Sequence, residues 1–176
     1  MLALLAAVLA VSTPAPAPSP SPMLEASVPW WERITVTVDD KGAQQSCKYQ
    51  SSLSAKAAET CDEEMASSIA SPKSEASGAF SKLTFERRFS PGAKLDSGPL
   101  ETGDKLLGQQ VMFLTIDGEG SIQSCRIVGT SGDMLPAYGC EEAKTEQFRV
   151  RTSASSGAPH QAFMTIRVFG HQEQIA

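Results

Sequence analysis

Histidine is nearly missing from this chain, and that absence removes the commonest neutral-pH base: only His160 and His171 are available, one in a Ser/Gly/Pro-rich stretch and one beside the C-terminus. No basic stripe is present either. Fifteen Lys and Arg stand against 20 Asp and Glu, giving a net charge of −5 and a pI near 5.1, whereas a nucleic-acid-binding domain clusters its cations and has a pI above about 9. There is no C-x-x-C pair, so a four-cysteine zinc site would have to draw its ligands singly from separate segments. Gly118-x-Gly120 lacks the third glycine and the following helix of a dinucleotide loop. The acid pairs Glu63/Glu64 and Glu141/Glu142 occupy consecutive positions, which on a helix point apart and read as solvated charge. These absences lead us to expect no catalysis, no cofactor and no metal.

A bilayer-spanning run is absent as well. Met1–Val11 (MLALLAAVLAV) is apolar for eleven residues, which at about 1.5 Å per residue covers roughly half of a hydrocarbon core about 30 Å thick. That length suits the h-region of a secretory signal, with Ser12, Ala15 and Ala17 offering a cleavage site. The Lys or Arg that normally opens such a signal is missing, since Glu25 is the first charged residue, which points to a start upstream. A further ten or so apolar residues there would turn an exported protein into an anchored one. The competing reading is a buried apolar N-terminal helix. Thr13–Pro22 (TPAPAPSPSP) has proline at every second position and is expected to be an extended spacer that isolates residues 1–22 from any core.

What is present is a duplication. Thr37–Lys48 (TVDDKGAQQSCK) recurs as Thr115–Arg126 (TIDGEGSIQSCR), with six of the twelve positions identical. The period is longer than that of a solenoid and implies two small domain-like units. Ile34, Val36 and Val38 alternate as in a half-buried strand, and Met112, Leu114 and Ile116 match them in phase. Asp39-Asp-Lys-Gly42 and Asp117-Gly-Glu-Gly120 supply turns, followed by second strands over residues 43–50 and 121–128. In the first unit Leu53, Ala57, Cys61, Met65 and Ile69 recur every fourth residue, which predicts an amphipathic helix. The second unit predicts a helix from about Leu135 to Phe148. Third strands are expected at Lys82–Phe89 and Ala162–Phe169. The expected fold class is α+β: two tandem ββαβ units, each a three-stranded antiparallel sheet covered by one helix, paired as a pseudo-dimer. The units span residues 28–90 and 107–172, with a Gly/Pro-rich linker at 91–106.

Units this small are marginal without added restraint. Cys47 and Cys125 fall on the strand face that a helix should cover, and Cys61 and Cys140 fall on the predicted helices. Four cysteines allow three pairings, and the repeat selects Cys47–Cys61 with Cys125–Cys140. Each closes a loop of about 15 residues, for which the stabilisation is about 3 kcal/mol. Disulfides together with the export-like N-terminus place the chain in an oxidising compartment. Four buried thiols in a reducing compartment would satisfy the packing equally well.

The order of these features in the second unit resembles the TonB C-terminal domain family, in its two-cysteine variant. The resemblance rests on Thr115-Ile-Asp-Gly-Glu-Gly120, Cys125-Arg126-Ile-Val128, Thr130-Ser-Gly132, Leu135 followed by Cys140, Gln147-Phe-Arg149 and the strand Met164–Phe169. It covers residues 107–170, with a degenerate copy over 31–90. Pro136 and Val150 depart from the family pattern, and the first unit lacks the Ser-Gly turn. The resemblance implies a periplasmic interaction module that pairs a sheet edge with an extended segment of an outer-membrane transporter in TonB-dependent transport, by β-strand addition. The expected edge is the last strand, with Phe163, Thr165, Arg167 and Phe169 forming the partner-binding row. The alternative is that the two units cover each other's edges as a closed structural domain with no transport role. Trp30-Trp31 reads as a core cap or a contact site, and Arg87-Arg88 with Arg149 and Arg151 as a basic rim or, by default, as scattered solvated arginines.

Overall fold

A computed structural model describes residues 24–39, 44–53, 80–134, 137–150 and 159–171. Its elements in chain order are β1 (Leu24–Glu25), β2 (Trp30–Val38), β3 (Gln44–Ser51), β4 (Lys82–Pro91), β5 (Asp104–Ile116), β6 (Ile122–Gly132), α1 (Cys140–Ala143), β7 (Phe148–Arg149) and β8 (His160–His171). Six strands form one antiparallel sheet in the order β3-β2-β4-β8-β5-β6, and β1 pairs with β7 in a separate parallel pair.

This overturns the expected α+β class. Among the described residues 62% lie in strands and 4% in helix, and no helix reaches seven residues. The predicted helix from Leu135 to Phe148 shrinks to the four residues of α1, and Phe148 is in β7. The local reason lies in Gly139, whose backbone is extended (φ −138°, ψ −159°), so the helix can begin only at Cys140. The Glu142 carboxylate accepts the Gly139 amide at 2.8 Å and fixes that start. The chain then needs an extended Gln147–Arg149 to reach Leu24, whose amide donates to the Gln147 carbonyl. The helix predicted over residues 53–69 lies outside the described residues, except for Leu53, which packs half-buried against the core.

Each copy contributes a hairpin and a third strand, and the third strands join the copies. Val36 pairs with Leu83 in the first copy and Leu114 with Ala162 in the second. Since Val36 and Leu114 are repeat equivalents, Arg87 corresponds to Ile166, Glu86 to Thr165 and Arg88 to Arg167. In the β4–β8 ladder Arg87 faces Ile166, Glu86 faces Arg167 and Arg88 faces Thr165. The two copies are therefore related by a local two-fold axis through the Arg87–Ile166 pair. Both hairpins also carry a bulge at the same place: Gln45 and Gln123 have no residue opposite them. Residues 92–103, within the predicted linker, contain no strand or helix, and β5 begins at Asp104.

Strand alternation gives the sheet one core face. Trp30, Phe89, Met164, Met112 and Leu114 lie on it with Leu24, Ala143 and Phe148 packed above; Ile34, Val36, Leu83 and Phe80 form a second cluster nearer β3. Trp30 stacks on Phe89 at 5.4 Å and Phe89 meets Phe148 at 5.2 Å. The turn before β6 locks this corner: Gly120 has φ +89°, and a Cβ there would lie 1.8 Å from the Phe148 carbonyl oxygen. Residues of the 92–103 segment lie against the opposite face.

Candidate functional site

The predicted binding row sits in the middle of the sheet. β8 is hydrogen-bonded along one side to β4 and along the other to β5, so neither of its edges is free. Thr165, Arg167 and Phe169 are buried, and Phe163 is half-buried with its ring edge-on to Phe113 at 5.2 Å. The structure keeps these four residues on one face, as alternation requires, but under the 92–103 segment and neighbouring side chains rather than in solvent. Strand addition at β8 is thereby blocked by main-chain pairing that is already made.

Cys125 and Cys140 are joined, with Cα atoms 5.5 Å apart, tying β6 to α1. Cys47 is also disulfide-bonded. Its expected partner, Cys61, lies outside the described residues. His160 and His171 occupy the two ends of β8, roughly 35 Å apart at the rise of an extended strand. His171 Nδ1 is 2.9 Å from Asp104 on the adjacent strand. Among the described residues no group of three His, Cys, Asp or Glu is arranged to hold a metal ion, and no helix is long and apolar enough to cross a membrane.

Two ionic clusters flank the local axis, one on each face. On the core face Arg87 reaches Glu32 of the first copy and Glu146 and Tyr138 of the second. Its guanidinium lies 5.2 Å from the Trp30 ring centre and 5.3 Å from that of Tyr138. Burial acts to lower the Arg87 pKa, but the carboxylates of Glu32 and Glu146 overcome it and hold the pKa above its ordinary value. Burial pushes the Tyr49 hydroxyl up to about 12, helped by its 2.7 Å hydrogen bond to Glu32. Tyr138 is raised for the same first reason. This cluster stitches the two copies together.

On the opposite face three arginines converge on Glu86, whose side chain is 0% exposed. Oε2 accepts from Arg33 Nε at 3.0 Å and Nη2 at 2.7 Å. Oε1 accepts from Arg88 Nε at 2.9 Å, from Arg167 Nε at 3.1 Å and from Arg167 Nη2. Burial acts to raise the Glu86 pKa, and hydrogen bonds from Arg167 and Arg33 more than reverse it, leaving the carboxyl below the usual range. Sequence reasoning did not find either cluster. A signal existed for Arg87, which occupies the apolar phase of Leu83, Phe85 and Phe89 and so had to be buried; consecutive Arg87 and Arg88 point to opposite faces and cannot form one rim.

The outer strand β6 has pairing on one side only among the described residues. Ile127 and Val128 on it are 51% and 43% exposed. Ile127 faces Met112 of the core, and Val128 is an extra residue with nothing opposite. Arg126, between Cys125 and Ile127, lies over the Phe113 ring at 5.1 Å. Trp30 proves to be core, its Nε1 donating to the Glu25 carbonyl at 2.9 Å, while Trp31 lies half-buried on the other face with Arg33 over its ring. Arg149 is 3.3 Å from Glu25, and Arg151 lies outside the described residues. Comparison with protein-family models, with curated proteins and with solved structures gives no match.

Proposed function

We propose that the protein is a non-enzymatic interaction module of the periplasm, TonB-like in role, which takes an extended segment of an outer-membrane transporter as an added strand. The edge that serves is β6, since β8 is already paired on both sides. The observation that carries this reading is the adjacent exposed pair Ile127 and Val128 on a strand with one unpaired side among the described residues. A partner strand there would continue the core row Met164, Met112, Ile127 outward and would gain main-chain hydrogen bonds for affinity. The Cys125–Cys140 bond supports an oxidising compartment.

A second reading, a closed structural domain of an exported protein, is favoured by the shared β4–β8 ladder and by Arg87 bridging the copies. The two differ at β6. Synthetic peptides from the periplasmic N-terminal segments of outer-membrane transporters, titrated into the protein by NMR, are expected to shift and protect the amides of residues 123–130. Ile127→Lys with Val128→Lys should abolish this while leaving the melting temperature within a few degrees, because both side chains are exposed. No response in β6 with any such peptide would leave the closed structural reading standing.

A further inference from the structure

The charge beneath residues 92–103 does not balance within the sheet. Arg33, Arg88 and Arg167 share one carboxylate, Glu86, and charges withdrawn from water cost several kcal/mol each unless they are paired. The remaining partners come from the segment that crosses above them. Glu101 Oε1 lies 3.2 Å from Arg33 Nη1, Asp96 Oδ2 lies 3.7 Å from Arg88 Nη1, and the Gly98 carbonyl accepts from Arg167 Nη1 at 3.0 Å. Gly98 lies close over Arg88, where a Cβ would stand 2.4 Å from Arg88 Cζ, and its φ of +64° favours glycine. The segment thus occupies the arginines in the manner of a peptide ligand, presenting two carboxylates with a carbonyl between them.

Its hold is weak. The Asp96 and Glu101 side chains are 62% and 74% exposed, and exposed ion pairs contribute about 0–1 kcal/mol each. Leu95 and Leu100, the apolar side chains that would anchor it, are themselves exposed. Beneath it Thr165, directly opposite Arg88 and 1% exposed, has a hydroxyl with no hydrogen-bond partner. Thr165 is the repeat equivalent of Glu86, so the local two-fold repeats the arginine but leaves the acid out.

We propose that this three-arginine face is a docking site for an extended acidic peptide segment of a partner protein, which displaces residues 92–103 and sets its own carboxylates on Arg33 and Arg88. The resident segment acts as a tethered competitor at an effective concentration in the millimolar range. A partner succeeds by offering stronger carboxylate pairing and an acceptor for Thr165.

The test uses the full chain and a labelled synthetic peptide with the sequence of residues 93–102 (AKLDSGPLET). The variant Asp96→Asn with Glu101→Gln loosens the resident segment without touching the arginines. It is expected to bind the peptide about fivefold more tightly than the wild type, with binding weakened by salt. Adding Arg33→Gln and Arg88→Gln, or using a peptide with Asn and Gln for its two acids, should remove the binding. Equal binding by the wild type and the loosened variant, or binding that survives loss of the arginines, overturns the proposal. A second measurement needs no variant: saturating peptide added to the wild type should speed amide exchange at Gly98 and its neighbours, and unchanged exchange there also overturns it.

Discussion

Glu86 is the residue on which most of one face depends. Its carboxylate takes five hydrogen bonds from Arg33, Arg88 and Arg167, so Glu86→Gln would leave three guanidinium groups close together with only the exposed Asp96 and Glu101 as counter-charges. Removing one partner from a buried ionic cluster costs about 3–5 kcal/mol, and for a chain of this size each kcal/mol lowers the melting temperature by about 2–4 °C. Calorimetry of Glu86→Gln at neutral pH should therefore show a fall of roughly 6–20 °C. The sign of the pH effect follows from the depressed pKa. A carboxyl held below its ordinary value stabilises the fold fully above the unfolded value of about 4.3, and that stabilisation is lost as pH falls through the folded pKa. The difference between wild type and Glu86→Gln should thus hold at neutral pH and close in acid; a gap that stays constant down to pH 2 or so would mean that Glu86 is not ionised in the fold. The residue's role was illegible in the sequence for a definite reason. Glu86, Arg88 and Arg167 stand on the polar phase of their strands, where alternation predicts solvent. The convergence of three arginines and the crossing of residues 92–103, both tertiary events, bury them.

At the scale of elements, strands were legible and the helix predicted from Leu135 to Phe148 was not. The alternation of Ile34, Val36 and Val38 and of Met112, Leu114 and Ile116 marks residues that do lie in β2 and β5 on the core face, because a period of two is enforced by the pleat itself. Repetition of the first unit's plan suggests a helix from Leu135, but Gly139 interrupts it with extended backbone and Phe148 joins β7. Periodicity could not weigh the pull of Leu24, which captures Phe148 in a pairing more than a hundred residues away in sequence. With so short a helix, the Cys125–Cys140 bond becomes the principal covalent tie of α1 to the sheet. Replacing both cysteines by serine is expected to cost about 3 kcal/mol, the value for closing a loop of about 15 residues. Thermal melts of the double variant should fall by roughly 6–12 °C, and exchange should quicken first at residues 139–145. A melt indistinguishable from the wild type would show that packing of Ala143 and Phe148 alone holds that corner.

At the scale of the molecule, the duplication is visible as geometry: two hairpins of one design, bulged at equivalent glutamines and joined through equivalent strands about the Arg87–Ile166 pair. The equivalence is broken at the centre. Where one copy has Arg87 the other has Ile166, and where one has Glu86 the other has Thr165. An arginine and an isoleucine meet across the axis on the core face, so each cluster draws charges from both copies: Arg87 with Glu32 on one side and Glu146 on the other, Glu86 with Arg33 and Arg88 on one side and Arg167 on the other. The second copy's Glu146 and Arg167 take their charged partners, Arg87 and Glu86, from the first copy. The copies should therefore unfold as one unit, although their sequences mark two. Hydrogen exchange read by mass spectrometry, following peptides from β2, β4, β5 and β8, is expected to show one free energy of opening shared by both copies, with only the outer strands β3 and β6 exchanging faster. Glu86→Gln should lower that shared value equally in β2 and β5. A lower value confined to β2 and β4 would mean that the β4–β8 ladder yields before either copy does, and that the sheet is two domains in contact.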